Sequence, residues 1–433
     1  MAKGMTPGIL DIAICLLMIL GHLAIWAGSF SRLHALDLRR HWLRSLEVLI
    51  FLALLGVPAT VLLRLLLHPP VPFGFAQLIP AGATGWGYAW FCAAWGVVTV
   101  VNWSWRKWKG PPREFVRCQR QLTQVARVLG HSPCGDAATR MLARLPGNQI
   151  LELETNVKTL LVPRLPACLD GLTVVHLSDL HFTGYLTQDF FNLVIDRANE
   201  LDGDLVALTG DIVEVRPCLG WISEVLGRVQ SRLGAFCIFG NHDLRIRDMP
   251  LLVSEVERAG WHYIGGQWRE MKVRNHSILI AGNELPWLGP PADMTNWRVP
   301  ADGRRPLRIL LSHSPDQIQW ARARDFDLML AGHTHGGQIQ LPVIGPLIGQ
   351  SRYGVRYCCG VFYVPPTLLH VSRGVSGVQN LRINCRPELT KLVLRCGAPL
   401  TVGTPEAPVA ERLPGVVVPA PVSRSQPAAP TPS

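Results

Sequence analysis

The segment LTVVHLSDLHF, residues 172–182, begins as an apolar run with β-branched residues and ends in the polar set Ser178-Asp179-Leu180-His181. A short apolar run of this kind indicates a buried β-strand. Residues at positions i and i+2 of an extended segment point to the same side, so Asp179 and His181 are placed to share one metal ion. The segment therefore predicts a buried sheet with ligand residues at a strand end.

The same combination of a strand and a polar strand end recurs four more times. Gly210-Asp211 follows LVALT, Gly240-Asn241-His242-Asp243 follows AFCIF, His313 follows ILLS, and Gly332-His333-Thr334-His335 follows LMLA. A glycine before three of these motifs lets the backbone turn sharply. Each motif alone is weak, because single copies are common in ordinary turns. Together they supply oxygen and nitrogen ligands without a thiolate, which fits paired divalent ions such as Mn, Fe or Zn.

Strands and helices alternate around these motifs. Further buried strands are predicted at Ser277–Ala281, His370–Ser372 and Leu389–Leu394, and helices at Asp189–Leu201, Trp221–Leu233 and Pro250–Ala259. This alternation indicates a layered α/β domain with a sheet core.

The chain before this domain is apolar enough to enter a membrane. Three stretches reach the length of about 20 residues that a bilayer requires, namely Ile12–Phe30, Val48–Leu67 and Gly85–Trp105. They predict a transmembrane region at residues 1–105, followed by a basic juxtamembrane connector at 106–148. The α/β domain is predicted at 149–397, and a disordered Pro/Ala-rich tail at 398–433.

The basic charge is concentrated at the N-terminal end. Residues 1–127 carry 13 Lys/Arg against 4 Asp/Glu, whereas the other 306 residues carry 29 against 27. This distribution excludes a globally basic nucleic-acid binder. The basic residues after the first and third stretches predict that the α/β domain lies on the cytoplasmic side of a cell membrane. A hairpin that included Val71–Gly85 would place the domain on the opposite side.

The basic tract Arg106–Arg127 has three interpretations. It is consistent with binding nucleic acid, with lying on anionic lipid headgroups, or with forming a solvated basic helix. Its position directly beside a predicted span favours the headgroups over nucleic acid.

Taken together, Asp-x-His, Gly-Asp, Gly-Asn-His-Asp, the isolated histidine and Gly-His-Thr-His resemble the motifs of the calcineurin-like metallophosphoesterases. The resemblance covers about residues 150–397. The motif sequences LSDLHF, LTGD and AGHTHGGQ are most similar to those of the bacterial YkuE/YaeI-type branch. Some members of that branch are membrane-tethered. The resemblance implies a four-layer α/β/β/α sandwich, here preceded by the transmembrane helical region, and a site for two metal ions.

The resemblance also implies a role for each strand-end residue. Asp179, His181 and His335 would bind the first ion, Asn241, His313 and His333 would bind the second, and Asp211 would bridge the two. His242 would be the catalytic histidine that approaches the substrate phosphate. Two ions about 3.5–4 Å apart share a hydroxide and clamp the attacking and leaving oxygens. A positioned imidazolium protonates the leaving alkoxide.

Two positions depart from the family pattern. Glu214 stands three residues after Asp211, where many relatives carry an aspartate that orients the rim histidine, so that contact is in doubt. The loop Gly282-Asn283-Glu284 replaces a more acidic segment, which would alter substrate contacts. Arg373 is equally consistent with binding a substrate phosphate and with pairing to a carboxylate.

The sequence therefore predicts a membrane-anchored, metal-dependent phosphoesterase. The resemblance favours phosphodiesters over monoesters, and the membrane anchor suggests a lipid-linked substrate. One alternative is a nucleic-acid phosphodiesterase, although the chain lacks the aromatic and basic groove such enzymes use. The other alternative is a non-catalytic membrane scaffold or sensor that keeps a structural metal site. The sequence does not identify a protein partner.

Overall fold

The computed structural model describes residues 9–67, 82–295, 297, 303–377 and 379–397. The predicted tail at 398–433 and most of the Val71–Gly85 segment lie outside these residues. The helices are α1 (Ile9–Leu33), α2 (Arg40–Leu67), α3 (Ala83–Lys109), α4 (Val125–Leu129), α5 (Ala137–Ala143), α6 (Gln188–Glu200), α7 (Met249–Arg258) and α8 (Ile318–Ala323).

The strands form two large sheets and a small hairpin. They are β1 (Phe115–Gln124), β2 (Glu152–Leu161), β3 (Thr173–Leu177), β4 (Leu205–Thr209), β5 (Gly234–Ile238), β6 (Trp261–Tyr263), β7 (Trp268–Val273), β8 (His276–Asn283), β9 (Leu307–Ser312), β10 (Leu328–Ala331), β11 (Gln340–Leu341), β12 (Gly345–Pro346), β13 (Gly360–Val364), β14 (Thr367–Val371) and β15 (Glu388–Arg395). One sheet has the order β1-β2-β15-β3-β4-β5-β6, and the other has the order β13-β14-β10-β9-β8-β7.

The two sheets pack face to face between two layers of helices. Side chains such as Val174, Phe236 and Ile309 fill the space between the sheets. The outer face of the first sheet packs against α6 and α7, and the outer face of the second packs against α8. Because successive side chains of a buried strand point to opposite faces, both faces of these strands are apolar. The predicted α/β/β/α sandwich is confirmed.

The sheet begins within the segment predicted as a connector. Residues Phe115–Gln124 form β1, which pairs antiparallel with β2 at the edge of the first sheet, from Phe115 opposite Leu160 to Gln124 opposite Glu152. The basic tract therefore contains an edge strand rather than a basic helix. Five of its ten residues are exposed and only Thr123 is buried, so the alternation of buried and exposed residues that identifies a strand is weak there.

One predicted helix is shorter than expected. Of Trp221–Leu233, only the N-terminal part is helical, as a short π-helix at Ile222–Leu226. The helix ends at Gly227, where a Cβ atom would lie 2.3 Å from the Ser223 carbonyl oxygen. The other two predicted helices are confirmed to within one residue, as α6 and α7.

Two N-terminal helices are long and apolar enough to cross a membrane. They are α1 over Ile9–Leu33 and, within α2, His41–Arg64, and few of their residues are buried in the described part of the chain. A core helix of a soluble domain would bury such side chains, so these surfaces require lipid or another partner. The third predicted span forms α3, but α3 does not meet the same test of length and hydropathy.

Helix α1 runs antiparallel to both of its neighbours. His22 Nε2 lies 3.0 Å from the Leu54 carbonyl oxygen of α2, and its Nδ1 lies 2.6 Å from the Tyr88 hydroxyl of α3. Close to the start of α3, Tyr88 also accepts from Trp26 Nε1 at 3.0 Å. Helices α2 and α3 therefore run in the same direction, and the two basic segments lie at opposite ends of the helices. This packing differs from the predicted alternation of three spans.

Candidate metal centre

The sandwich brings all five polar strand ends to one edge. Strands β3, β4 and β5 are parallel neighbours in the first sheet, and β9 and β10 are parallel neighbours in the second. The carboxyl ends of parallel strands lie at the same edge of a sheet, and here the two edges face each other. The side chains that follow these strands are buried or nearly so, although they are polar.

Glycines at the strand ends allow parts of the site to approach closely. A Cβ atom on Gly332 would lie 1.8 Å from Ser178 Oγ and 2.4 Å from Asp179 Oδ2, and one on Gly240 would lie 2.2 Å from Asp211 Oδ1. Neither glycine has a positive φ. They are therefore required here because no side chain fits, and not for the sharp turn expected from the sequence.

Five of the seven predicted metal ligands have left-handed backbone conformations. Their φ values lie between 48° and 67° for Asp179, His181, Asp211, His333 and His335. This region is uncommon for residues other than glycine and costs about 1–3 kcal/mol each. Such strain persists where the surrounding structure enforces it, and it clusters at functional sites.

The first group of ligand atoms comes from Asp179, His181, Asp211 and His335. His181 Nε2 lies 3.1 Å from His335 Nε2 and 3.5 Å from Asp211 Oδ2. His335 Nε2 lies 3.6 Å from Asp179 Oδ1. All four residues are buried, and one donor atom from each lies within 4.8 Å of the others.

The second group shares Asp211 with the first. His313 Nε2 lies 3.3 Å from Asp211 Oδ2 and 3.1 Å from Asn241 Oδ1, and His333 completes the group. In the described part of the chain, the buried Asp211 Oδ2 and His333 Nε2 have no hydrogen-bond partner. Buried polar atoms without partners are costly, and a cation between them removes that cost. The residues present therefore fit bound divalent ions.

Each of three histidines is oriented through its second ring nitrogen. His181 Nδ1 lies 2.5 Å from Glu214 Oε1, His313 Nδ1 lies 2.7 Å from the Thr209 carbonyl oxygen, and His335 Nδ1 lies 3.1 Å from the Ser376 carbonyl oxygen. These acceptors fix the proton on Nδ1 and leave Nε2 free to bind a metal ion.

Glu214 joins the metal centre to His242. Its Oε1 atom lies 2.5 Å from His181 Nδ1 and 2.9 Å from His242 Nδ1, and its other oxygen pairs with Arg245. These are direct contacts with no space for an ion between the atoms. The longer carboxylate therefore reaches the rim histidine, which resolves the doubt that the sequence left about this contact.

The charges of the site separate the histidines into two kinds. Burial lowers the pKa values of His333 and His335 well below the ordinary range. They are therefore neutral, which is the form that binds metals. Burial also opposes charge on His242, but the Asp211 and Glu214 carboxylates outweigh it and raise the pKa of His242. The two carboxylates therefore favour the protonated form of His242 at the rim of the site.

Two residues near the site carry no signal in the sequence. The ring of Trp287 packs against His333 and His313, with centroid distances of 4.5 Å and 5.6 Å. The fully buried Arg382 donates to the carbonyl oxygens of Arg373 and Ser376, and so braces the acceptor that orients His335. Neither residue lies in a recognisable motif, and a buried arginine is rare enough that composition predicts against it.

Two other candidates are structural. Arg373 pairs with Glu388 Oε2 at 3.1 Å and with Glu154 Oε1 at 2.7 Å, so the carboxylate interpretation is correct. Glu284 is buried, accepts from the Phe239 N–H at 2.5 Å and from the Tyr263 hydroxyl at 2.9 Å, and has its pKa raised by burial to about 7. It supports the strand end before Asn241.

Comparison with known proteins identifies the same region. A family model described as calcineurin-like phosphoesterase matches residues 172–337. This range contains all eight predicted site residues. It ends two residues after His335 and excludes the N-terminal helices.

The relatives include bacterial and vertebrate proteins. The chain is 31% identical to the metallophosphoesterase YkuE of Bacillus subtilis over 248 residues, covering 56% of this chain and 86% of YkuE. It is 31% identical to the phosphodiesterase YaeI of Escherichia coli over 229 residues, covering 51% and 81%. A transmembrane protein with a metallophosphoesterase domain from Danio rerio is 29% identical over 251 residues, covering 54% of this chain and 55% of that protein.

Proposed function

Because the chain belongs to the calcineurin-like metallophosphoesterases and is a metal-dependent phosphoester hydrolase, we propose that it is a membrane-bound phosphodiesterase with two metal ions. One observation carries the two-ion proposal. Asp211 Oδ2 lies 3.5 Å from His181 Nε2 and 3.3 Å from His313 Nε2, so one carboxylate oxygen is shared by both ligand groups.

The proposed ligands divide between two ions. Asp179, His181 and His335 would hold one, and Asn241, His313 and His333 would hold the other, with Asp211 common to both. Divalent ions bound in this way lower the pKa of a water molecule and neutralise charge on phosphoryl oxygens. The chain supplies the rest of the chemistry through groups that orient and protonate the substrate.

His242 is the proposed general acid. Glu214 holds its Nδ1 atom at 2.9 Å, and its ring lies edge-on to His181 with a centroid distance of 4.9 Å. As the bond between phosphorus and the leaving oxygen breaks, a proton moves from the imidazolium to that oxygen. The raised pKa of His242 favours this protonated form before the reaction.

The choice of a phosphodiester at the membrane rests on two supports. YaeI, a phosphodiesterase, is 31% identical to this chain. Helices α1 and α2 have the length and apolarity of membrane spans, and Ser31 on the last turn of α1 accepts from the backbone N–H of Gly349 in the catalytic domain at 3.2 Å. A substrate within the membrane, such as a phospholipid or a lipid-linked intermediate, would then be close to the metal centre.

The proposed location of the catalytic domain is the cytoplasmic side of the membrane. The turn between α1 and α2 is basic, with Arg32, Arg39, Arg40 and Arg44 in or next to it. The positive-inside rule assigns such a turn to the cytoplasm. The contact between Ser31 and Gly349 supports a catalytic domain on this side, whereas the end of α3, from which the chain enters the domain, lies at the opposite end of the helices.

Full-length protein purified in detergent tests the proposal. We expect manganese-dependent hydrolysis of a chromogenic phosphodiester that exceeds hydrolysis of the matching monoester, and its loss in the Asp211→Asn and His242→Ala variants. Cleavage of DNA or RNA in preference to the diester would indicate the nucleic-acid alternative. Metal binding without turnover on any phosphoester would indicate the scaffold.

A further inference from the structure

A chain of buried polar side chains connects β2 to the metal centre. Its members are, in order, Lys158 on β2, His370 on β14, His176 on β3, Thr209 at the end of β4, and Ser178. All five residues are 6% exposed or less. Burial of polar and charged groups costs stability unless each group is paired, and neither histidine is a proposed metal ligand. A role beyond packing is therefore expected for this chain of side chains.

Every neighbouring pair in the chain lies within hydrogen-bond distance. Lys158 Nζ lies 3.0 Å from His370 Nε2, and His370 Nδ1 lies 2.8 Å from His176 Nδ1. His176 Nε2 lies 2.9 Å from Thr209 Oγ1, which donates to Ser178 Oγ at 2.9 Å. Because His370 belongs to the second sheet and the other members to the first, the chain crosses the space between the sheets.

The last link reaches a proposed metal ligand. The Ser178 hydroxyl forms a hydrogen bond with the Asp179 carboxylate and stabilises its charged form. Gly332 permits this approach, because a Cβ atom there would lie 1.8 Å from Ser178 Oγ and 2.4 Å from Asp179 Oδ2. Thr209 contacts the site a second time, since its carbonyl oxygen accepts from His313 Nδ1 at 2.7 Å. The chain therefore supports one ligand of each proposed ion.

Lys158 fixes the direction of these hydrogen bonds. Its ammonium group only donates, so His370 Nε2 accepts. Burial lowers the pKa of His176 to about 3 and the pKa of His370 well below its ordinary range, so each neutral ring carries one proton. His370 then donates from Nδ1 to His176 Nδ1, and His176 donates from Nε2 to the Thr209 hydroxyl. The Thr209 and Ser178 hydroxyls continue in the same direction, toward the metal centre.

An ion pair holds the donor end of the chain. Lys158 Nζ lies 2.6 Å from Glu388 Oε1, which also accepts from Asn156 Nδ2 at 2.9 Å. The other oxygen of Glu388 accepts from the backbone N–H of Arg373 at 3.0 Å and from its Nε at 3.1 Å. Burial opposes the charge of Glu388, but Lys158 and Arg373 outweigh burial and hold the pKa of Glu388 well below its ordinary range. The ammonium group is therefore fixed where it donates to His370.

We propose that this chain holds the Asp179 carboxylate in position for the first metal ion, with Lys158, His370 and His176 as positioning residues. A fixed donor on a carboxylate orients the oxygen that binds the ion, and partners of this kind typically change metal affinity or activity by about 10–100-fold. The effect on turnover rests on the proposed function, whereas the effects on metal binding and on the proton positions do not.

Matched threonine variants of the full-length protein in detergent test the positioning. Thr209→Val removes the hydroxyl at nearly constant shape, and Thr209→Ser keeps it. We expect Thr209→Val to raise the midpoint of manganese binding by about tenfold, and Thr209→Ser to stay within about threefold of wild type. Thr155→Val is the control, because Thr155 is a buried strand residue whose hydroxyl has no hydrogen-bond partner in the described part of the chain. Its midpoint should stay within about twofold.

Lys158→Met tests the direction of the chain from its other end. Nitrogen-15 NMR of the metal-free, full-length protein with labelled histidine reports which ring nitrogen carries the proton, and His176→Gln and His370→Gln assign the signals. We expect wild type to carry the proton on Nε2 of His176 and on Nδ1 of His370. Lys158→Met should change or mix both tautomers and raise the manganese midpoint by about threefold or more. A role in folding alone would lower the unfolding temperature and leave the midpoint unchanged.

The possible outcomes separate this proposal from the proposed function. A wild-type His176 that carries its proton on Nδ1, or a folded Thr209→Val variant with the wild-type midpoint, overturns the positioning role. Equal increases for Thr209→Val and Thr155→Val mean general disturbance of the domain and also contradict it. Wild-type protein that binds manganese but cleaves no phosphodiester contradicts the proposed function, and the midpoints and tautomers then decide the positioning role alone.

Discussion

Replacement of Glu214 by glutamine should weaken both metal binding and proton transfer. The side chain is 3% exposed, and its Oε1 atom contacts both His181 and His242. Burial opposes its charge, but the two imidazoles outweigh burial and lower its pKa to about 2. The residue is therefore a carboxylate throughout the working pH range, and glutamine removes that charge at nearly constant shape.

The magnitude follows from the loss of one of these two contacts. A hydrogen bond to a charged group contributes about 1.5–3 kcal/mol, and groups that orient metal ligands typically change affinity or activity by about 10–100-fold. A loss of that size corresponds to about 1.4–2.7 kcal/mol, so one contact accounts for it. We expect Glu214→Gln to lower kcat/KM by about 10–100-fold and to raise the manganese midpoint by about tenfold.

The pH profile separates the two roles. Glu214 helps to raise the pKa of His242, so its neutralisation lowers that pKa. The protonated general acid is then lost at lower pH, and the descending limb of kcat against pH should move to lower values. Glu214→Asp shortens the side chain by one methylene group, so it should lose at least one of the two contacts and give an intermediate effect.

The assay is turnover of a chromogenic diester across manganese concentration and pH, with the folded fraction checked for each variant. Asp196→Asn is the control, because its half-exposed carboxylate pairs with Arg228 at the surface. Exposed pairs of this kind contribute little, and turnover should stay within about twofold. A Glu214→Gln variant with wild-type manganese midpoint, kcat and pH profile would refute the reasoning.

Three further predictions concern the edge of the sandwich. Glu284 has a pKa of about 7 in the folded protein against 4.5 in the unfolded chain. Its contribution to the free energy of unfolding is therefore full below about pH 4.5 and falls by up to about 3 kcal/mol as the pH rises through about 7. Thermal unfolding from pH 5 to 8 should show this loss in wild type relative to Glu284→Gln, and parallel stability curves for the two proteins would contradict it. His242→Ala should lower kcat by about 100-fold or more while the number of bound metal ions stays unchanged, since the residue is not a proposed ligand; loss of bound metal would contradict its role. Gly332→Ala should abolish manganese-dependent turnover, because its Cβ atom would lie 1.8 Å from Ser178 Oγ. Gly220→Ala is the control and should remain active, since its Cβ atom would lie 3.7 Å from Glu224 Oε1 and near no other atom. Equal activity of the two variants would contradict the packing argument.

The sandwich and the grouping of the site could be predicted because their signals are local. A buried strand followed by a polar loop is visible within about ten residues, and parallel strands bring their carboxyl ends to one edge. The order of the motifs then places Asp179, Asp211 and His333 together. Their assignment to particular ions comes from the family resemblance and stays a proposal.

Edge elements and buried supports could not be predicted. Strand β1 is exposed to solvent on much of its surface, so its sequence shows a basic tract and no clear strand pattern. Its pairing with β2 identifies it as a strand. Arg382 and Trp287 act through contacts with residues far along the chain. Such long-range contacts form only in the folded protein, and they produce no hydrophobic periodicity or motif spacing that could be recognised in the sequence.

The direction of α3 depends on packing that hydropathy does not contain. Length and apolarity predict which helices suit a bilayer, and α1 and α2 meet that test. The close approach of Gly21 to Cys92 and of Gly96 to Leu17 sets α3 antiparallel to α1. Small residues at such an interface are a property of the pair of helices and not of either sequence alone.

The most direct test of the two-ion centre is titration of the metal-free, full-length protein with manganese while bound metal and diester turnover are measured on the same samples. We expect turnover to approach its maximum only as the second equivalent binds, and Asp211→Asn to lose that second phase. Full turnover with one equivalent bound, or turnover that persists in a chelator, would contradict a centre built around the shared Asp211 carboxylate.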